Sequence, residues 1–219
     1  MKQYKAVITG DLIGSKNLGP ELRSYVFENL NELIVQLTEE DNVFSMYRGD
    51  SIQGLIARPD QALDIAMKIK TCVKRSSLIP ADRYPRKPKG DIRLSIGIGE
   101  VEYKRKNIEE SDGSAFQYSG RRLDKMKEDK ITMALTTEHS SLNTDWNVIF
   151  GLLDSIMFRW TISSAELVYE LLNGKKEQEI SEHLGISQPA VNQRKRHASW
   201  DAIKPMLSLF NEDVNKYYG

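Results

Sequence analysis

The sequence predicts an α+β fold in which a sheet flanked by helices is followed by an all-helical C-terminal segment. Three observations support this prediction. Strand-like and helix-like patterns alternate over residues 1–137. Gly49 and Asp50 separate two strand-like runs, which is typical of a hairpin. Beyond residue 137 the apolar residues recur only at helical spacing. No Pro- or Gly-rich linker separates the two parts, so we expect them to pack together.

The predicted elements of the first part follow the order β-α-β-β-α-β-α-β. Strands are expected at residues 5–12, 43–48, 51–57, 92–101 and 131–136, and helices at 20–38, from 60 onward and at 115–128. The core of this order is the split βαβ arrangement of ferredoxin-like sheets, in which the first and third strands are antiparallel neighbours. The sequence therefore predicts a ferredoxin-like antiparallel sheet.

Composition limits the class of protein. The chain has 219 residues, and no apolar run approaches the roughly 20 residues that span a bilayer. The N-terminus enters a strand pattern at once, without a signal-peptide design. The single cysteine, Cys72, excludes a disulfide framework and is expected to be a small apolar helix residue in a cytoplasmic protein. Because 31 Lys and Arg balance 31 Asp and Glu, nucleic-acid binding would depend on local features.

Residues 138–160 are predicted to form a connecting helix with one apolar stripe. This stripe either packs on the sheet and the following helices or forms a dimer contact, and the pattern alone allows both. The stripe consists of Trp146, Ile149, Phe150, Leu153, Ile156, Met157 and Trp160.

Residues 161–219 contain short helix-like segments whose spacing is typical of a helix-turn-helix domain. Segments 162–172 and 177–184 come first, and Gly185 supplies the turn after the second. Ser187 is a suitable N-cap for the third helix. Four positions match the small residue, the turn glycine and the two core residues of this unit: Ser181, Gly185, Ile186 and Val191. A trihelical module for protein contact is the alternative.

The third helix would present its outer face to the major groove of DNA. Asn and Gln can pair with adenine and Arg with guanine, while Arg194 and Lys195 are expected to meet phosphates. The predicted DNA-binding residues are Ser187, Gln188, Asn192, Gln193, Arg194, Lys195 and Arg196. Residues 161–219 hold seven Lys and Arg against eight Asp and Glu. One copy should therefore bind weakly, and a dimer on two half-sites more tightly.

Two aspartates are predicted to meet at one edge of the sheet. In a split βαβ sheet the end of the first strand lies beside the start of the third, which brings Asp11 close to Asp50. Adjacent carboxylates repel each other unless a cation lies between them. Mg²⁺ is commonly held by one or two carboxylates plus substrate phosphates. The pair predicts a metal site for phosphoryl transfer, although each aspartate alone also suits a turn.

Four motifs occur in order along roughly the first 135 residues. They are TGDLIGS at 9–15, YRGDSIQ at 47–53, IRLSIGIGE at 92–100 and DGSAFQYSGR at 112–121. Together they resemble the successive motifs of the SatD family, which is in turn similar to nucleotidyl-cyclase and GGDEF palm domains. The resemblance implies a nucleotidyl-cyclase-type domain at residues 1–137.

The resemblance also implies roles for individual residues near the start of the chain. Asp11 and Asp50 stand where cyclases place their two metal-binding aspartates. The backbone amides of Ile13, Gly14 and Ser15 would approach a triphosphate.

Further along the chain, Arg121 falls where cyclases carry a catalytic arginine that steadies transition-state charge, although it also suits a solvated helix position. Gln117 lies near a ribose-contacting position. Two residues depart from the known patterns: Phe44 stands for the purine-reading lysine of cyclases, and Ser51 for the glutamate of GGDEF enzymes. Neither known scheme of substrate reading is therefore intact.

Together these features predict a cytoplasmic DNA-binding regulator with a cyclase-like domain that binds a nucleotide and Mg²⁺. A homodimer is expected because cyclase-type domains usually complete their site between two copies. One alternative is an enzyme that makes a cyclic or linear nucleotide product by metal-dependent phosphoryl transfer. Another is a non-catalytic protein-interaction adaptor.

Overall fold

The computed structural model describes residues 4–38, 42–47, 50–76, 87–102, 108 and 111–219. The strands within these ranges are β1 (Tyr4–Ile13), β2 (Val43–Tyr47), β3 (Ser51–Ile56), β4 (Asp91–Glu100) and β5 (Met133–Thr136). The first four helices are α1 (Pro20–Thr38), α2 (Ala62–Arg75), α3 (Ser114–Asp129) and α4 (Ser140–Met157). The remaining helices are α5 (Ile162–Leu172), α6 (Glu177–Leu184), α7 (Gln188–Ala198) and α8 (Trp200–Tyr218). Short 3₁₀ turns lie at Ser15–Asn17 and Pro59–Gln61. Gly49 of the predicted hairpin lies outside the described residues.

The strands form one mixed sheet in the order β2-β3-β1-β4-β5. Strand β1 is central and runs antiparallel to both β3 and β4, so the predicted pairing of the first and third strands is present. Strand β5, however, runs parallel to β4, and the expectation of a wholly antiparallel sheet was wrong at this edge. The cause is the crossover through α3, which returns the chain to the same end of the sheet before β5 begins.

The sheet has one apolar face and one largely polar face. Ala6 and Ile8 of β1 and Ile96 and Ile98 of β4 are fully buried in the main core, together with apolar residues of α1 and α2. Side chains alternate between the faces of a strand, so the neighbouring residues point the other way. The polar face of β1, β3 and β4 therefore includes Thr9, Asp11, Ser51, Gln53, Arg93 and Ser95.

Helix α3 covers one part of the polar face, and two glycines of β4 allow it to approach. A Cβ atom at Gly97 would lie 2.3 Å from the carbonyl oxygen of Ala115. One at Gly99 would lie 2.3 Å from the hydroxyl of Ser114. The backbone of α3 thus touches the backbone of β4, and α3 leaves the end of the sheet that holds Asp11 partly open to solvent.

Helices α4, α5 and α8 contribute buried side chains to the core of the sheet. Trp146 of α4 packs edge-on against Phe210 of α8, with ring centroids 4.8 Å apart, and both are fully buried. The indole N–H of Trp160 donates a hydrogen bond of 3.1 Å to the buried carbonyl of Ala198. The apolar stripe predicted for residues 138–160 faces this core, which favours the packing interpretation over the dimer contact.

The start of α2 differs in detail from the prediction. Asp60 was expected to lie at the N-terminus of the helix, but α2 begins at Ala62 after a 3₁₀ turn. The Asp60 carboxylate is buried and instead accepts hydrogen bonds from Arg58 at 2.7 Å and Asn211 of α8 at 2.9 Å. The hydrogen bond from Asn211 therefore links the 3₁₀ turn after β3 to the last helix. Among the described residues no helix has the length and apolar character needed to cross a bilayer.

Candidate functional site

The backbone of β1 and β3 brings Asp11 and Asp50 together. In the antiparallel register Asp11 lies opposite Ser51, the residue that follows Asp50. The amide of Leu12 donates a hydrogen bond of 2.9 Å to the Asp50 carbonyl, so the two aspartates flank one backbone bridge. The juxtaposition expected from the split βαβ order is thus present in the backbone.

The electrostatics of the pair follow from this closeness. Burial raises the pKa of Asp11 above its ordinary value of 3.8, and the negative charge of Asp50 raises it further. The positive charges of Arg93 and Lys127 act in the opposite direction without reversing the shift. The Ser15 hydroxyl donates a hydrogen bond of 3.2 Å to the Asp50 carboxylate. The site therefore concentrates negative charge at a partly desolvated sheet edge.

Two basic residues at this edge were not among the predicted site residues. Arg93 of β4 is the cross-strand partner of Asp11, and its Nη1 lies 3.8 Å from Asp11 Oδ2. Lys127, near the end of α3, is close enough to lower the pKa of Asp11. The alternation of polar and apolar residues along β4 was visible in the sequence. The register that places Arg93 opposite Asp11, however, is a property of strand pairing.

The oxygen atoms at this edge fit a divalent cation that arrives with a phosphate. The described ranges of the chain contain no cluster of three or more His, Cys, Asp and Glu side chains that could hold a metal alone. The oxygen atoms available as metal ligands are instead those of the two carboxylates and the Ser15 hydroxyl. Mg²⁺ commonly keeps several waters and takes one or two carboxylates plus substrate phosphates. The donor set matches that pattern.

The turn between β1 and α1 lies next to the carboxylates and forms a concave surface. Gly14 has a φ of 66°, a left-handed conformation that favours glycine, and Ser15 is buried beneath it. Ile13, Gly14 and the N-terminal residues of α1 line a cavity of about 830 Å³, with Lys89 on its rim. Cavities of this size accommodate small ligands, and the N-terminus of a helix favours anions.

Gln117 and Arg121 do not lie at the carboxylates of their own chain. Both side chains are exposed and lie one turn apart on α3. Ala115, Ser119 and Met126 of the same helix are buried. At 3.6 residues per turn these three mark the side that faces the sheet, and Gln117 and Arg121 fall on the opposite side. Within a single chain they point to solvent.

Phe44 lies on the apolar face of the sheet, away from the carboxylates. It pairs with Gly54 of β3, which in turn pairs with Ile8 of β1. Its ring covers Gly54 so closely that a Cβ atom there would lie 2.1 Å from Phe44 Cε1. Phe44 is therefore partly buried against the core, and Ser51 is the substituted position that lies opposite Asp11.

Helices α5, α6 and α7 form a compact unit with a small core of its own. Leu167, Ile180 and Val191, one from each helix, are fully buried against one another. Gly185 ends α6 with a φ of 62°, as expected for a turn glycine. The hydroxyl of Ser181 donates a hydrogen bond of 2.6 Å to the Ile186 carbonyl across this turn.

The outer face of α7 is exposed and polar. Ser187 caps the helix by accepting a 3.4 Å hydrogen bond from the Ala190 amide. Arg194 and Lys195 are half-buried and already paired: Arg194 lies 3.1 Å from Glu166, and Lys195 lies 2.5 Å from Glu177. Either would have to exchange a carboxylate for a phosphate in order to bind nucleic acid. The predicted residues with exposed side chains are Ser187, Gln188, Asn192, Gln193 and Arg196.

Comparisons with known proteins identify structural similarity alone. No family model matches the chain, and no curated protein matches it. Solved structures that are similar to part of it include a bacterial light-regulated adenylyl cyclase, with 12% identity, 62% of this chain and 77% of that chain covered, and a TM-score of 0.41. The active GGEEF domain of a diguanylate cyclase from Vibrio cholerae is 14% identical, and the match covers 63% of this chain and 85% of that chain with a TM-score of 0.43. The adenylyl cyclase CyaB from P. aeruginosa is 14% identical, and the match covers 57% of this chain and 72% of that chain with a TM-score of 0.37.

Proposed function

We propose that residues 1–137 form a SatD-like domain of the ferredoxin-like, nucleotidyl-cyclase type that binds a nucleoside triphosphate together with Mg²⁺. The observation that carries this proposal is the bridge between Asp11 and Asp50, in which the Leu12 amide bonds to the Asp50 carbonyl at 2.9 Å. The raised pKa of Asp11, caused first by burial and then by the negative charge of Asp50, supports it, because a bound cation would favour the ionised carboxylates.

Different residues of this edge would bind the cation and the phosphates. Asp11 and Asp50 hold the cation, which supplies charge neutralisation for the phosphates when it is bound. The amides of Ile13, Gly14 and Ser15, beside the 830 Å³ cavity, receive the phosphate chain. Ser15 also orients Asp50 through its hydroxyl. These roles follow the resemblance stated above and the closeness of the groups to one another.

A binding measurement tests this proposal directly. Mn²⁺ binding is followed by the paramagnetic resonance signal of the free ion, and ATP, GTP, CTP and UTP binding by calorimetry in the presence of Mg²⁺. We expect Asp11→Asn and Asp50→Asn to weaken Mn²⁺ binding more than tenfold, since even outer-shell partners typically contribute about 10–100-fold. Asp124→Asn, an exposed position on α3, serves as the control. Equal Mn²⁺ affinity in all four proteins would remove the proposal.

We further propose that α5, α6 and α7 form a helix-turn-helix that reads DNA through α7. The exposed Gln188, Asn192, Gln193 and Arg196 support this role, since such side chains bind base edges. The ion pairs of Arg194 and Lys195 within the unit reduce the free positive charge. Affinity should therefore be modest and should depend on two copies acting together.

A gel-shift series with genomic fragments across a range of salt concentrations tests the DNA-binding proposal. Arg196→Ala should weaken a specific complex by about 1–3 kcal/mol and relax its sequence preference. Lys216→Ala is the matched control, because Lys216 is an exposed cation that pairs with Asp213 near the end of α8. The absence of a salt-sensitive shift with any fragment would exclude this role.

The combined proposal is a cytoplasmic, homodimeric regulator whose DNA binding responds to a nucleotide. The outward position of Gln117 and Arg121 supports a dimer, because these residues could reach the carboxylates of a second copy only. The alternative, an enzyme that forms a cyclic or linear nucleotide, shares this requirement. Incubation of the protein with the four triphosphates and Mg²⁺ or Mn²⁺, followed by detection of product, tests the enzymatic alternative. Product that disappears in Asp11→Asn and in Arg121→Ala, and returns when the two variants are mixed, would support both the enzyme and the dimer.

A further inference from the structure

Another cavity lies at the junction of the sheet and the C-terminal helices. It has a volume of about 390 Å³ and is bounded by the start of α2, the end of α5 and one face of α8. Helix α2 begins beyond the end of β3 that lies farthest from Asp11. Small-molecule sites commonly have volumes of about 300–1,000 Å³ and often lie where two structural units meet. The cavity is therefore a candidate ligand site separate from the acidic edge.

A half-buried carboxylate without a side-chain partner lines this cavity. Asp64 lies in the first turn of α2, and in the described part of the chain no side chain donates a hydrogen bond to it. Burial raises the pKa of Asp64 above its ordinary value of 3.8, and the nearby charge of Asp60 raises it further. The charge of Lys68 and a backbone hydrogen bond act in the opposite direction without reversing the shift. Enclosed carboxylates are usually paired with a cation, so Asp64 indicates a missing positive partner.

The walls of the cavity indicate an organic rather than an inorganic cation. A divalent metal ion requires a shell of oxygen ligands, and the part of the chain that the structure describes has no group of three His, Cys, Asp or Glu side chains that could hold one. Apolar walls instead suit a carbon skeleton, and the face of an indole ring attracts an ammonium group. The apolar side chains that line the cavity are Leu171, Leu172, Trp200 and Leu207.

The charged side chains around the cavity disfavour an anion. Two carboxylates, those of Asp64 and Glu212, line it together with one lysine, Lys204. The buried carboxylate of Asp60 lies close enough to act on Asp64, although it is itself paired with Arg58. A phosphate would therefore meet net repulsion, whereas an ammonium group would meet net attraction. The chemical class of ligand thus differs from that of the nucleotide in the proposed function.

We propose that this cavity binds a small organic ammonium ion, with its nitrogen at Asp64 and its apolar body against Trp200 and Leu207. An ammonium group has three donors, and the hydroxyl of Ser208 on the same cavity wall is a further acceptor. The ligand would touch α2, which packs on the sheet, and α5, the first helix of the C-terminal unit. Its binding would stabilise the contact between the two parts of the chain. The proposal goes beyond the proposed function and does not depend on it.

The test uses the full chain and three probes that share a phenyl ring: 2-phenylethylamine, 2-phenylethanol and phenylacetate. At neutral pH the first is a cation, the second is neutral and the third is an anion. Binding is followed through the indole N–H resonance of Trp200 in ¹⁵N-labelled protein, which Trp200→Phe assigns. We expect the amine to bind about tenfold more tightly than the alcohol, because a charge-assisted hydrogen bond replaces a neutral one. Phenylacetate should bind more weakly than either.

Substitutions at the cavity separate a ligand role from a structural one. Asp64→Asn should bind the amine and the alcohol with affinities within about twofold of each other, because the ammonium charge has lost its partner. Lys204→Gln should raise the affinity for the amine about twofold, the size of a solvated charge effect. Asp145→Asn is the matched control, because Asp145 is an exposed helical carboxylate on α4 outside the cavity lining. It should keep the tenfold preference.

Asp64→Asn should fold normally, because it removes a partly desolvated charge, and thermal unfolding checks this. The inference is wrong if no probe shifts the Trp200 resonance, or if the alcohol binds as tightly as the amine. A preference for the amine that persists in Asp64→Asn would also overturn it. The Mn²⁺ and nucleotide measurements at Asp11 and Asp50 are independent of all three outcomes, so the proposed function stands or fails separately.

Discussion

The guanidinium carbon of Arg75, at the end of α2, lies 3.9 Å from the centroid of the Tyr169 ring on α5. This cation–π contact joins a helix that packs on the sheet to the first helix of the C-terminal unit. Burial raises the pKa of Tyr169, as expected for a ring in an enclosed position. The contact is one of the physical links between the two parts of the chain.

A double-mutant cycle measures this link. Arg75→Met and Tyr169→Leu should show a coupling energy of about 1 kcal/mol in urea unfolding, since partly desolvated cation–π pairs contribute between exposed and buried values. Arg23→Met with Phe27→Leu is the control, because Arg23 lies 5.5 Å from the Phe27 ring within α1 alone. The control pair should couple less strongly. Additive effects of Arg75 and Tyr169 would show that the contact contributes nothing.

The continuous core predicts that the sheet and the C-terminal helices unfold together. Phe210 is fully buried against Trp146, so Phe210→Ala should lower the free energy of unfolding by about 3–5 kcal/mol. Leu209→Ala, at a neighbouring residue that is 43% exposed, should lower the free energy of unfolding much less.

Two spectroscopic or chemical probes report on the sheet and on the C-terminal helices separately. All three tryptophans lie beyond residue 145 and report by fluorescence, while Cys72 on α2 reports by thiol labelling.

Cys72 suits this measurement because it is fully buried and burial raises the pKa of its thiol to about 11. The thiol therefore reacts only when α2 opens. We expect Phe210→Ala to shift the fluorescence and labelling transitions to lower urea by the same amount. A shift in fluorescence alone would mean that the helical part unfolds separately.

Asp91 predicts a pH dependence of stability. It accepts hydrogen bonds from Lys70 at 3.0 Å and Lys74 at 2.8 Å, and Lys70 is fully buried. Burial alone would raise the pKa of Asp91, but the two lysines outweigh it and the net shift is below 3.8. A lowered carboxyl pKa stabilises the fold above the unfolded value of 3.8, and this stability is lost as pH falls through the folded pKa.

Asp91→Asn should therefore destabilise the protein by about 3 kcal/mol at pH 7, because the buried Lys70 loses its counterion. The difference from wild type should begin to shrink below about pH 4, where Asp91 of the unfolded wild-type chain takes up a proton, and it should continue to shrink as pH falls through the lower folded pKa. Chemical unfolding at a series of pH values measures this. Asp129→Asn is the control, since Asp129 pairs with Arg122 at an exposed position. A difference that stays constant down to pH 3 would contradict the assignment.

Local sequence patterns were sufficient for the order of elements and for the acidic pair. Alternation at period two and apolar spacing at period 3.6 depend on nearby residues, and the split βαβ order then brings Asp11 beside Asp50. The helices around Gly185 were predictable for the same reason. A turn glycine and the Ser187 cap act within a few residues of their own positions.

Other features depend on pairing between distant segments and could not be predicted. Arg93 faces Asp11 only in the observed register of β1 with β4, and a shift of one residue would move it to the other face. The stripe of α4 is apolar whether it meets the sheet, α8 or a second copy. Its burial against Phe210 is a property of the assembled core. The direction of β5 likewise depends on where α3 returns the chain.

Gly97 supplies the sharpest test of how α3 rests on the sheet. A Cβ atom there would lie 2.3 Å from the Ala115 carbonyl oxygen and 2.6 Å from the Ser119 amide nitrogen, both backbone atoms of α3. Gly97→Ala should therefore push α3 away from β4 and destabilise the fold by about 3 kcal/mol.

Gly120→Ala on α3 is expected to stabilise the fold instead. Among the described residues, an added Cβ atom there would meet nothing within 4 Å beyond its chain neighbours and the backbone of its own helix, and alanine in a helix should stabilise by about 0.4–1 kcal/mol. Urea unfolding of the two variants measures both values. Opposite signs require α3 to lie against β4 through Gly97, whereas two small effects of equal sign would mean that the helix does not rest there.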